Sequence, residues 1–533
     1  MDHTDLVKGC LLFVLNTHMP FVRNAAQPHS EEENWLFEAI TESYIPLIEA
    51  LSGLVRDGAR FRITISLTPC LVAQLADPLL QQRYLGYLED RVRLAEREMA
   101  RLGGRPDFLR LAQMYHQHFV RCRRVFAHWN HDLTAAFAFL RDAGCVELLT
   151  SAATHAYLPL WTLYPRAARL QIQLGLQQHQ AVFGERPQGF WLPECGFAPC
   201  CGRSPGIDEL LQEEGIRYTF LNANGILNGH PRPRFGVHAP VHSPHGVVAF
   251  GRDWGIHDLV WLEDKGYPGD PCYLDGDRDI GYELELEQVA PFTHIDRPAG
   301  TGIKYHRGKR AGGGAYDPDA AFRRCDAHAQ HFFHWCQERV QALQAWMGRK
   351  PVLVAMFDTE HFGHWWREGP TWLELVLRKL VYDQQTVELV TASDYLRQYP
   401  VNQEVTPSLS SWGYQGYSES WLMGRNHWLY PRLYRAIERL DEFDAAAGIA
   451  EEALRLARQQ YLRELLLAQS SDFAFMMWRE SSRQYAEERV RGHVENMEAI
   501  YAQLRRGEFD RAWLGALQEQ NNIFSTQMAE NFL

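Results

Sequence analysis

Two short segments, far apart in the chain, each end an apolar run with a carboxylate. Residues 189–194 read Gly-Phe-Trp-Leu-Pro-Glu, and residues 351–358 read Pro-Val-Leu-Val-Ala-Met-Phe-Asp. Apolar runs of this length are typical of strands buried on both faces, as in a parallel sheet wrapped by helices. The carboxyl ends of such strands carry the active sites of α/β barrels. Glu194 and Asp358 are therefore predicted to form the carboxylate pair of a sugar-cleaving reaction.

That chemistry requires one charged and one protonated carboxyl group, roughly 5 Å apart when the sugar configuration is retained. Trp191, Phe197 and Trp365 lie near the two acids in sequence, and apolar surface of this kind raises the pKa of a carboxyl group. Each acid could instead be a strand-end cap or one member of an ion pair. The occurrence of two such segments favours the catalytic interpretation.

The size and composition of the chain limit the number of domains and the classes of partner that can be expected. A chain of 533 residues is too long for one hydrophobic core, so we expect a large domain with one or two smaller ones. The net charge of −12, without a Lys/Arg-rich block, argues against nucleic acid or an anionic membrane as partner. The 16 Trp are more than a core demands, and a flat indole matches the C–H face of a sugar ring. For most single Trp, a core position is still the expectation.

The N-terminal sequence and the cysteines bear on compartment and on metals. Met1-Asp2-His3-Thr4-Asp5 is acidic where a signal peptide is positive, and no apolar run approaches the ~18 residues of a membrane span. We therefore expect a cytoplasmic protein whose ten cysteines are thiols. Cys195, Cys200 and Cys201 lie close together, but their spacing fits no zinc site. We expect neither a metal nor a cofactor.

The elements that would position the two acids follow a βα pattern. Short apolar runs alternate with helical stretches over the first two-thirds of the chain, which is typical of a parallel sheet surrounded by helices. The predicted strands are residues 10–15, 61–67, 146–150, 189–192, 218–221, 247–250, 352–357 and 387–390. An α/β barrel, complete or one strand short, is the predicted architecture.

Three regions depart from this pattern. Residues 76–137 have apolar residues at helical spacing interrupted by Gly103-Gly104-Arg105-Pro106, which predicts an inserted helical hairpin. Residues 222–320 are rich in Gly, Pro, Asp and His, which predicts functional loops. After residue 400 the pattern becomes that of long helices. The predicted domains are a barrel (1–75 and 138–400), the inserted hairpin (76–137) and a C-terminal helical domain (401–533).

Polar residues at the strand ends are candidates to join the two acids. Side chains alternate along a strand, so Asp358 and Glu360 are expected to face one way, and Asn16 and His18 to share a face beyond the first strand. His361 and His364 have the spacing of metal ligands, but we do not expect a metal there.

Short segments spread over the whole chain resemble those of glycoside hydrolase family 57 and, within it, the 1,4-α-glucan branching enzymes. In chain order they are Asn16-Thr17-His18-Met19-Pro20, Trp35-Leu36-Phe37-Glu38, Thr154-His155-Ala156-Tyr157, Trp191-Leu192-Pro193-Glu194-Cys195-Gly196, Gly266-Tyr267-Pro268-Gly269-Asp270, Arg278-Asp279-Ile280-Gly281, Phe357-Asp358-Thr359-Glu360, Ser411-Trp412-Gly413, Trp421 and Ser470-Ser471-Asp472-Phe473. The resemblance implies an α/β fold: an incomplete seven-stranded (β/α) barrel with a helical insertion and a C-terminal all-helical domain.

The resemblance also implies roles for individual residues. Glu194 is the nucleophile that forms a glucosyl-enzyme intermediate, and Asp358 is the acid that protonates the departing oxygen and then acts as base. His18 and His155 match positions near the cleaved bond. The positions that match glucan contacts are Trp412, Trp421, Asp472 and Arg278. The implied partner is an α-1,4-glucan, as donor and as acceptor, with no metal or cofactor; the oligomeric state is not implied.

Three residues depart from the family pattern. Asn16 replaces a His, which removes a possible cation near the carboxylates. His242 takes the place of a Tyr on a loop over the site, in a loosely aligned stretch. Arg367 stands where an apolar aromatic residue is common. Both proposed catalytic acids are present, so we expect activity, with altered efficiency of transfer.

Three functions remain open at this point. The first is a branching transglycosidase, which cleaves an α-1,4 bond and passes the chain to a 6-hydroxyl group. The second is an α-glucan hydrolase, in which water takes the place of the accepting sugar. The third is a glucan-binding protein that has lost catalysis, which the substitution at Asn16 suggests.

Overall fold

The computed structural model describes residues 6–308, 314–446, 450–480 and 482–524. Among the helices in these ranges, none combines the length and the apolar character that crossing a membrane requires.

The described residues form ten strands, most of them in one sheet of parallel strands. The strands are β1 (Gly9–Thr17), β2 (Ile63–Leu67), β3 (Val146–Ser151), β4 (Gly189–Trp191), β5 (Tyr218–Leu221), β6 (Val241–His242), β7 (Val248–Gly251), β8 (Val352–Asp358), β9 (Val387–Leu389) and β10 (Gln403–Glu404). All eight predicted strands are confirmed, with ends that differ by at most two residues. The sequence analysis did not predict β6 and β10.

Seven parallel strands form the wall of an incomplete barrel, in the order β7-β5-β4-β3-β2-β1-β8. The described residues form no ladder between β7 and β8, although Asp253 N donates to Val354 O at 3.0 Å. β9 pairs in parallel with the first residues of β1. The predicted incomplete seven-stranded (β/α) barrel is thus confirmed.

The barrel is filled because its strands carry apolar residues on both faces. All nine residues of β1 are buried. Cys10, Leu12 and Val14 pack in a cluster with side chains of β4, β5, β7 and β8, which is the barrel interior. Leu11 and Phe13 alternate with them and pack in a second cluster with the surrounding helices. An alternation of this kind, with both faces apolar, is what a helix-covered parallel sheet requires.

Twenty-one α-helices surround and extend the barrel in the described ranges. They are α1 (Glu31–Ala39), α2 (Ile45–Arg56), α3 (Pro69–Leu75), α4 (Pro78–Arg101), α5 (Pro106–His128), α6 (Leu133–Asp142), α7 (Pro165–Phe183), α8 (Ile207–Glu213), α9 (Ala223–Leu227), α10 (Trp254–Val260), α11 (Ile280–Glu283), α12 (Leu286–Thr293), α13 (Pro318–Met347), α14 (Gly369–Tyr382), α15 (Ala392–Gln398), α16 (Leu429–Glu438), α17 (Leu440–Asp444), α18 (Glu451–Ala468), α19 (Ser471–Arg479), α20 (Arg483–Arg506) and α21 (Arg511–Gln520).

The two long helices α4 and α5 occupy the region predicted as a helical hairpin. Asp77 caps α4 by accepting from the amides of Leu79 and Leu80, and Pro106 begins α5 after the predicted glycine-containing break. Their apolar faces pack in the same cluster as the outer side of β1. The division of the chain into domains at residues 76, 138 and 401 stays a prediction.

The helices after α15 pack against the mouth of the barrel. Ser471 N donates to His155 O at 3.1 Å, and Gln171 Nε2 donates to Gln469 Oε1 at 2.8 Å. Arg23, near the start of the chain, donates to Glu519 O at 2.6 Å. The first residues of α19 therefore lie directly beside the loop after β3. The last residues of the predicted C-terminal helical domain, 525–533, lie outside the described residues.

Candidate active site

The carboxyl ends of β1 and β8 place Asp358 beside Asn16. These two residues are register partners in the parallel ladder, and Asn16 Nδ2 donates to Asp358 Oδ1 at 2.9 Å. The residue that replaces a family His therefore orients the predicted acid through an amide hydrogen bond.

Glu194 lies just after β4, in a tight turn with an unusual backbone. Its φ of 61° lies in the left-handed region, which a Glu adopts only when its surroundings enforce it. The carboxylate accepts from Ser471 Oγ at 2.8 Å on one oxygen and from Trp412 Nε1 at 2.8 Å on the other. The Trp412 amide also donates to Glu194 O at 3.0 Å. Both residues that fix this carboxylate come from the last quarter of the chain.

His18, His155 and Asp472 form a buried cluster next to Glu194. His18 Nε2 lies 3.0 Å from Asp472 Oδ2, and its Nδ1 lies 2.9 Å from Thr68 Oγ1. The His18 ring stacks on the His155 ring at a centroid distance of 3.8 Å. His155 Nδ1 lies 3.0 Å from the Ser471 hydroxyl and 3.9 Å from Glu194 Oε1. The structure thus brings three of the predicted binding residues together beside Glu194, the predicted nucleophile.

The protonation of the two acids is set mainly by burial. Burial raises the pKa of Glu194 to about 7, against hydrogen bonds from Trp412 and Ser471 that favour the ionised form. Burial raises the pKa of Asp358 to about 6, against the Asn16 hydrogen bond and the charges of His18 and Arg252, which lower it. Like-charge repulsion from Asp472, and then from Asp358, also raises the pKa of Glu194. Both acids therefore change protonation state near neutral pH.

The His18–Asp472 pair is charged. Burial disfavours charge on both groups, yet the Asp472 carboxylate raises the pKa of His18, and His18 in turn lowers the pKa of Asp472. Burial and the nearby His18 lower the pKa of His155 well below its ordinary value, so that His155 is neutral. The charged His18 and the neutral His155 therefore both lie beside the carboxylates of Glu194 and Asp472.

The same cluster contains the atoms that could hold a metal ion. One ligand atom from each of His18, His155 and Asp472 lies within 4.8 Å of the others. The two rings, however, stack at an interplanar angle of 16°, so their in-plane lone pairs run side by side instead of converging on one point. Of the other histidines considered, His361 Nε2 lies 2.7 Å from Val260 O and His364 Nδ1 lies 2.6 Å from Glu42 Oε2. The arrangement suits a charge cluster better than a metal centre.

Two further residues, Ser471 and Arg252, act on the site without having been predicted, and the candidate Glu360 also lies beside it. Ser471 bridges Glu194 and His155. Glu360 is buried and accepts from Tyr44 Oη at 2.5 Å and from the His18 amide at 3.2 Å. Arg252 is considered separately below. Tyr44 lies in a π-helical turn (Ile40–Tyr44), a local feature that is frequent at functional sites. No sequence pattern predicted this turn.

Arg252 lies directly after β7 and is buried. Its guanidinium carbon lies 5.5 Å from the ring centroid of Trp412 and 5.8 Å from that of Trp261. Its Nε and Nη2 atoms have no hydrogen-bond partner among the described residues. The sequence signal was available, since this Arg ends an apolar strand just as Glu194 and Asp358 do.

Two predicted glucan contacts lie apart from this arrangement. Trp421 is 1% exposed and stacks on Tyr157 at 4.3 Å, so its indole offers no open face in this conformation. Arg278 forms an ion pair with Glu283 at 2.7 Å and does not enter the cluster at Glu194. Their contact with substrate stays a prediction.

The assignment of His242 to a loop over the site is wrong. His242 lies in β6, which runs antiparallel to β7 and pairs His242 with Val248, the first residue of β7. It therefore lies at the amino end of the strand, whereas the acids lie at the carboxyl ends. The two-residue strand β6 was not apparent in the sequence. No other feature fixed the loose alignment of the residues around His242 to the family pattern.

Comparisons with known proteins agree with this geometry. The profile for glycosyl hydrolase family 57 matches residues 12–268, and a profile for the C-terminal region of 1,4-alpha-glucan branching enzymes matches residues 432–532. A 1,4-alpha-glucan branching enzyme of Thermococcus kodakarensis is 33% identical over 97% of this chain and 78% of its own length. The chain belongs to glycosyl hydrolase family 57.

Two solved structures are similar over nearly the whole chain. The GH57-type branching enzyme of Pyrococcus horikoshii has a TM-score of 0.87 and 30% identity, covering 98% of this chain and 97% of that one. The alpha-amylase AmyC of Thermotoga maritima has a TM-score of 0.88 and 35% identity, covering 98% and 99%. Similarity of fold therefore does not separate transfer from hydrolysis within family 57.

Proposed function

We propose that this protein is a 1,4-alpha-glucan branching enzyme that works with retention of configuration. The observation that carries the proposal is the Glu194 carboxylate, which is fixed by Trp412 and Ser471 of the C-terminal third of the chain. The adjoining helices are those matched by the branching-enzyme profile. In curated relatives named as branching enzymes, the similarity extends over this region as well.

The first half of the proposed reaction is cleavage. A Glu194 oxygen attacks C1 of the donor glucosyl unit, and the C1–O4 bond breaks. Asp358 gives its proton to O4, so the leaving chain departs as a neutral alcohol and a covalent glucosyl-enzyme remains. The developing positive charge at C1 favours an ionised Glu194, and the departing oxygen gives protonated Asp358 an acceptor. The bound sugar thereby separates the roles of two acids whose pKa values lie close together in the free protein.

The second half is transfer. Asp358, now ionised, takes the proton of a 6-hydroxyl group on an acceptor glucan while O6 attacks C1 and releases Glu194. Asn16 holds Asp358 in place in both steps. We assign donor-sugar contacts to His18, His155, Asp472 and Trp412, with Trp421 and Arg278 farther along the chain of sugars.

A second candidate function is hydrolysis of α-glucan. The observation that favours it is the 35% identity to an alpha-amylase over almost the entire chain. Both functions share the glucosyl-enzyme, and they differ in whether a sugar hydroxyl or water attacks it.

Incubation with amylose separates these functions. Proton NMR of the product should show rising α-1,6 linkages with few new reducing ends. New reducing ends without α-1,6 linkages would replace the proposal by hydrolysis, and no change in the amylose would leave a glucan-binding protein. Glu194→Gln should abolish the product, whereas Glu213→Gln, at an exposed ion pair, should not.

A further inference from the structure

A groove lined by cationic side chains lies on the outer face of the barrel, apart from the catalytic cluster. It runs along α5 and the segment before α14 and has a volume of about 480 Å³. Three arginines line it, Arg121, Arg124 and Arg367, together with His118. We call these four residues the cationic groove. Its volume lies within the roughly 300–1,000 Å³ of small-molecule sites.

Arg367 is the central residue of this groove. Its guanidinium carbon lies 4.9 Å from the ring centroid of Tyr115, so one face of the group is covered. The half-buried guanidinium donates no hydrogen bond to any residue that the structure describes. A guanidinium in this state retains a planar set of N–H donors for an external acceptor.

The carboxylates near Arg367 are engaged elsewhere. Glu42 lies 2.6 Å from His364 Nδ1, and Glu49 pairs with Arg121 at 3.0 Å. Glu368 accepts from Tyr316 Oη at 2.7 Å, and burial raises its pKa, which favours its neutral form. Arg124 is exposed and forms no ion pair with a described residue. Arg367 and Arg124 thus form no direct ion pair with a carboxylate in the described part of the chain, although Glu42 and Glu49 lie near enough for their charges to be felt.

The local field in the groove is positive although the chain carries a net charge of −12. Burial, with the charges of Arg367 and Arg121, lowers the pKa of His118 to about 3. Repulsion from the two guanidinium groups therefore helps to keep this imidazole neutral at physiological pH. An anion placed in the groove would meet attraction from three cations, opposed by the charges of Glu42 near Arg367 and Glu49 near Arg121 and Arg124.

We propose that the cationic groove is a binding site for a small phosphate-bearing molecule, either inorganic phosphate or a sugar phosphate. A planar guanidinium matches two phosphate oxygens in a bidentate arrangement, and Arg367 and Arg124 provide two such groups. The neutral His118 adds a hydrogen-bonding group at the same wall. The site is independent of the glucan-cleaving reaction.

Isothermal titration calorimetry of the full-length protein with inorganic phosphate tests the proposal directly. The titration is run at constant ionic strength set with chloride, so that screening alone produces no signal. We expect saturable one-site binding to the wild type. Arg367→Phe and Arg124→Leu should each weaken it at least about tenfold, since each removes a charge-assisted contact to the phosphate. Arg123→Leu, an exposed neighbour on the same helix that does not line the groove, should bind as the wild type does.

The outcomes distinguish the two possible ligands and show whether the anion binds in the cationic groove. Tighter binding of glucose 1-phosphate than of inorganic phosphate identifies the ester as the ligand, and equal binding identifies the phosphate alone. Unchanged phosphate binding in Glu194→Gln places the bound anion outside the catalytic cluster. Absence of binding to the wild type, or equal binding by the wild type, Arg367→Phe and Arg124→Leu, would overturn the proposal. Arg124 is exposed, so its variant keeps the test decisive even if Arg367→Phe fails to fold.

Discussion

Glu194 and Asp358 owe their chemistry to hydrogen bonds made inside a buried cluster. Glu194 accepts from two side chains and Asp358 from one, so the hydrogen bonds favour negative charge on Glu194. Burial acts in the opposite direction on both and brings their pKa values to about 7 and about 6. A pair of this kind loses one proton readily and the second with difficulty.

The pH dependence of activity should reflect this pair. Activity needs one ionised and one protonated carboxyl group, so it should fall at low pH, where both are protonated, and at high pH, where both are ionised. We expect a bell-shaped profile of kcat/KM for amylose with its maximum between about pH 6 and pH 7. A profile that stays flat from pH 5 to pH 9 would show that these two groups do not control the rate.

Arg252 should influence the acidic limb of that profile, which the lower of the two pKa values sets. Its charge is among the influences that lower the pKa of Asp358, so its removal should raise that pKa. We expect Arg252→Met to shift the acidic limb toward higher pH and to lower kcat. The conservative variant Arg252→Lys should retain the position of the limb. If both variants shift it equally, packing against Trp412 and not charge is the contribution of this residue.

At the scale of single residues, the predicted site was incomplete for identifiable reasons. The two acids were predictable because each ends an apolar strand. Arg252 fits the same rule but was overlooked, since an Arg at a strand end does not by itself suggest catalysis. Ser471 could not have been found by any local pattern, because its partners Glu194 and His155 lie about 300 residues away in the chain.

At the scale of secondary structure, α19 delivers two polar residues to the site from its first turn. Ser471 begins the helix and Asp472 follows it, so one helix start contacts Glu194, His155 and His18 together. The π-helical turn before α2 likewise positions two polar residues, on the side of the site opposite α19. It directs Tyr44, which donates to Glu360, and Glu42, which accepts from His364, toward the segment that follows β8.

Gly363 shows how closely the π-helical turn approaches the segment after β8. Its φ is 120°, and a Cβ atom at this position would lie 1.9 Å from Glu42 O. Only glycine permits this backbone conformation and this distance. The contact holds the segment that follows the catalytic acid against the turn.

Ser471→Ala should weaken catalysis through the nucleophile. It removes one of the two hydrogen bonds on the Glu194 carboxylate, and a hydrogen bond to a charged group contributes about 1.5–3 kcal/mol. We expect kcat to fall roughly 10- to 100-fold with little change in KM. The control Ser408→Ala, on the loop before Trp412 and without contact to a carboxylate, should leave kcat unchanged. An equal loss in both variants would attribute the effect to general disturbance of the C-terminal region.

The strands and long helices were predictable, whereas the short elements were not. Apolar runs buried on both faces identify β1 and β8 without ambiguity, and the proline after a glycine pair identifies the start of α5. β6 and β10 have two residues each, too few to show a period. The misplacement of His242 followed from this, because its position depends on the direction of β6.

At the scale of the whole molecule, the site is closed by contacts between the two ends of the chain. His18 follows the first strand and Asp472 begins α19, and their ion pair at 3.0 Å joins the barrel to the C-terminal helices. Arg23 adds a buried ion pair with Asp77 at 2.9 Å and also donates to Glu519 O. Neither link follows from sequence periodicity, since each depends on how the helices dock on the barrel.

Asp472→Asn should destabilise the protein in a pH-dependent way. The raised pKa of His18 means that its contribution is present below its ordinary pKa of about 6.5 and is lost as pH rises through the higher folded value. The lowered pKa of Asp472 means that its contribution is present above about pH 4 and is lost as pH falls. We therefore expect a loss of about 3 kcal/mol in the free energy of unfolding at pH 6 and a smaller loss at pH 9.

Urea denaturation of both proteins at the two pH values measures this difference. Asp441→Asn, which removes a carboxylate from an exposed ion pair with Arg166, is the control and should cost little at either pH. A loss for Asp472→Asn that is equal at pH 6 and pH 9 would contradict a charged His18–Asp472 pair.

The most direct test of Glu194 as the nucleophile is the configuration of the product formed when azide rescues a variant that lacks this carboxylate. Glu194→Ala, supplied with an α-maltosyl fluoride donor and sodium azide, can react only by a single displacement at C1. NMR of the product should therefore show the β-glycosyl azide, the inverted anomer. An α-glycosyl azide from this variant, or turnover of the fluoride at the wild-type rate without azide, would contradict the assignment.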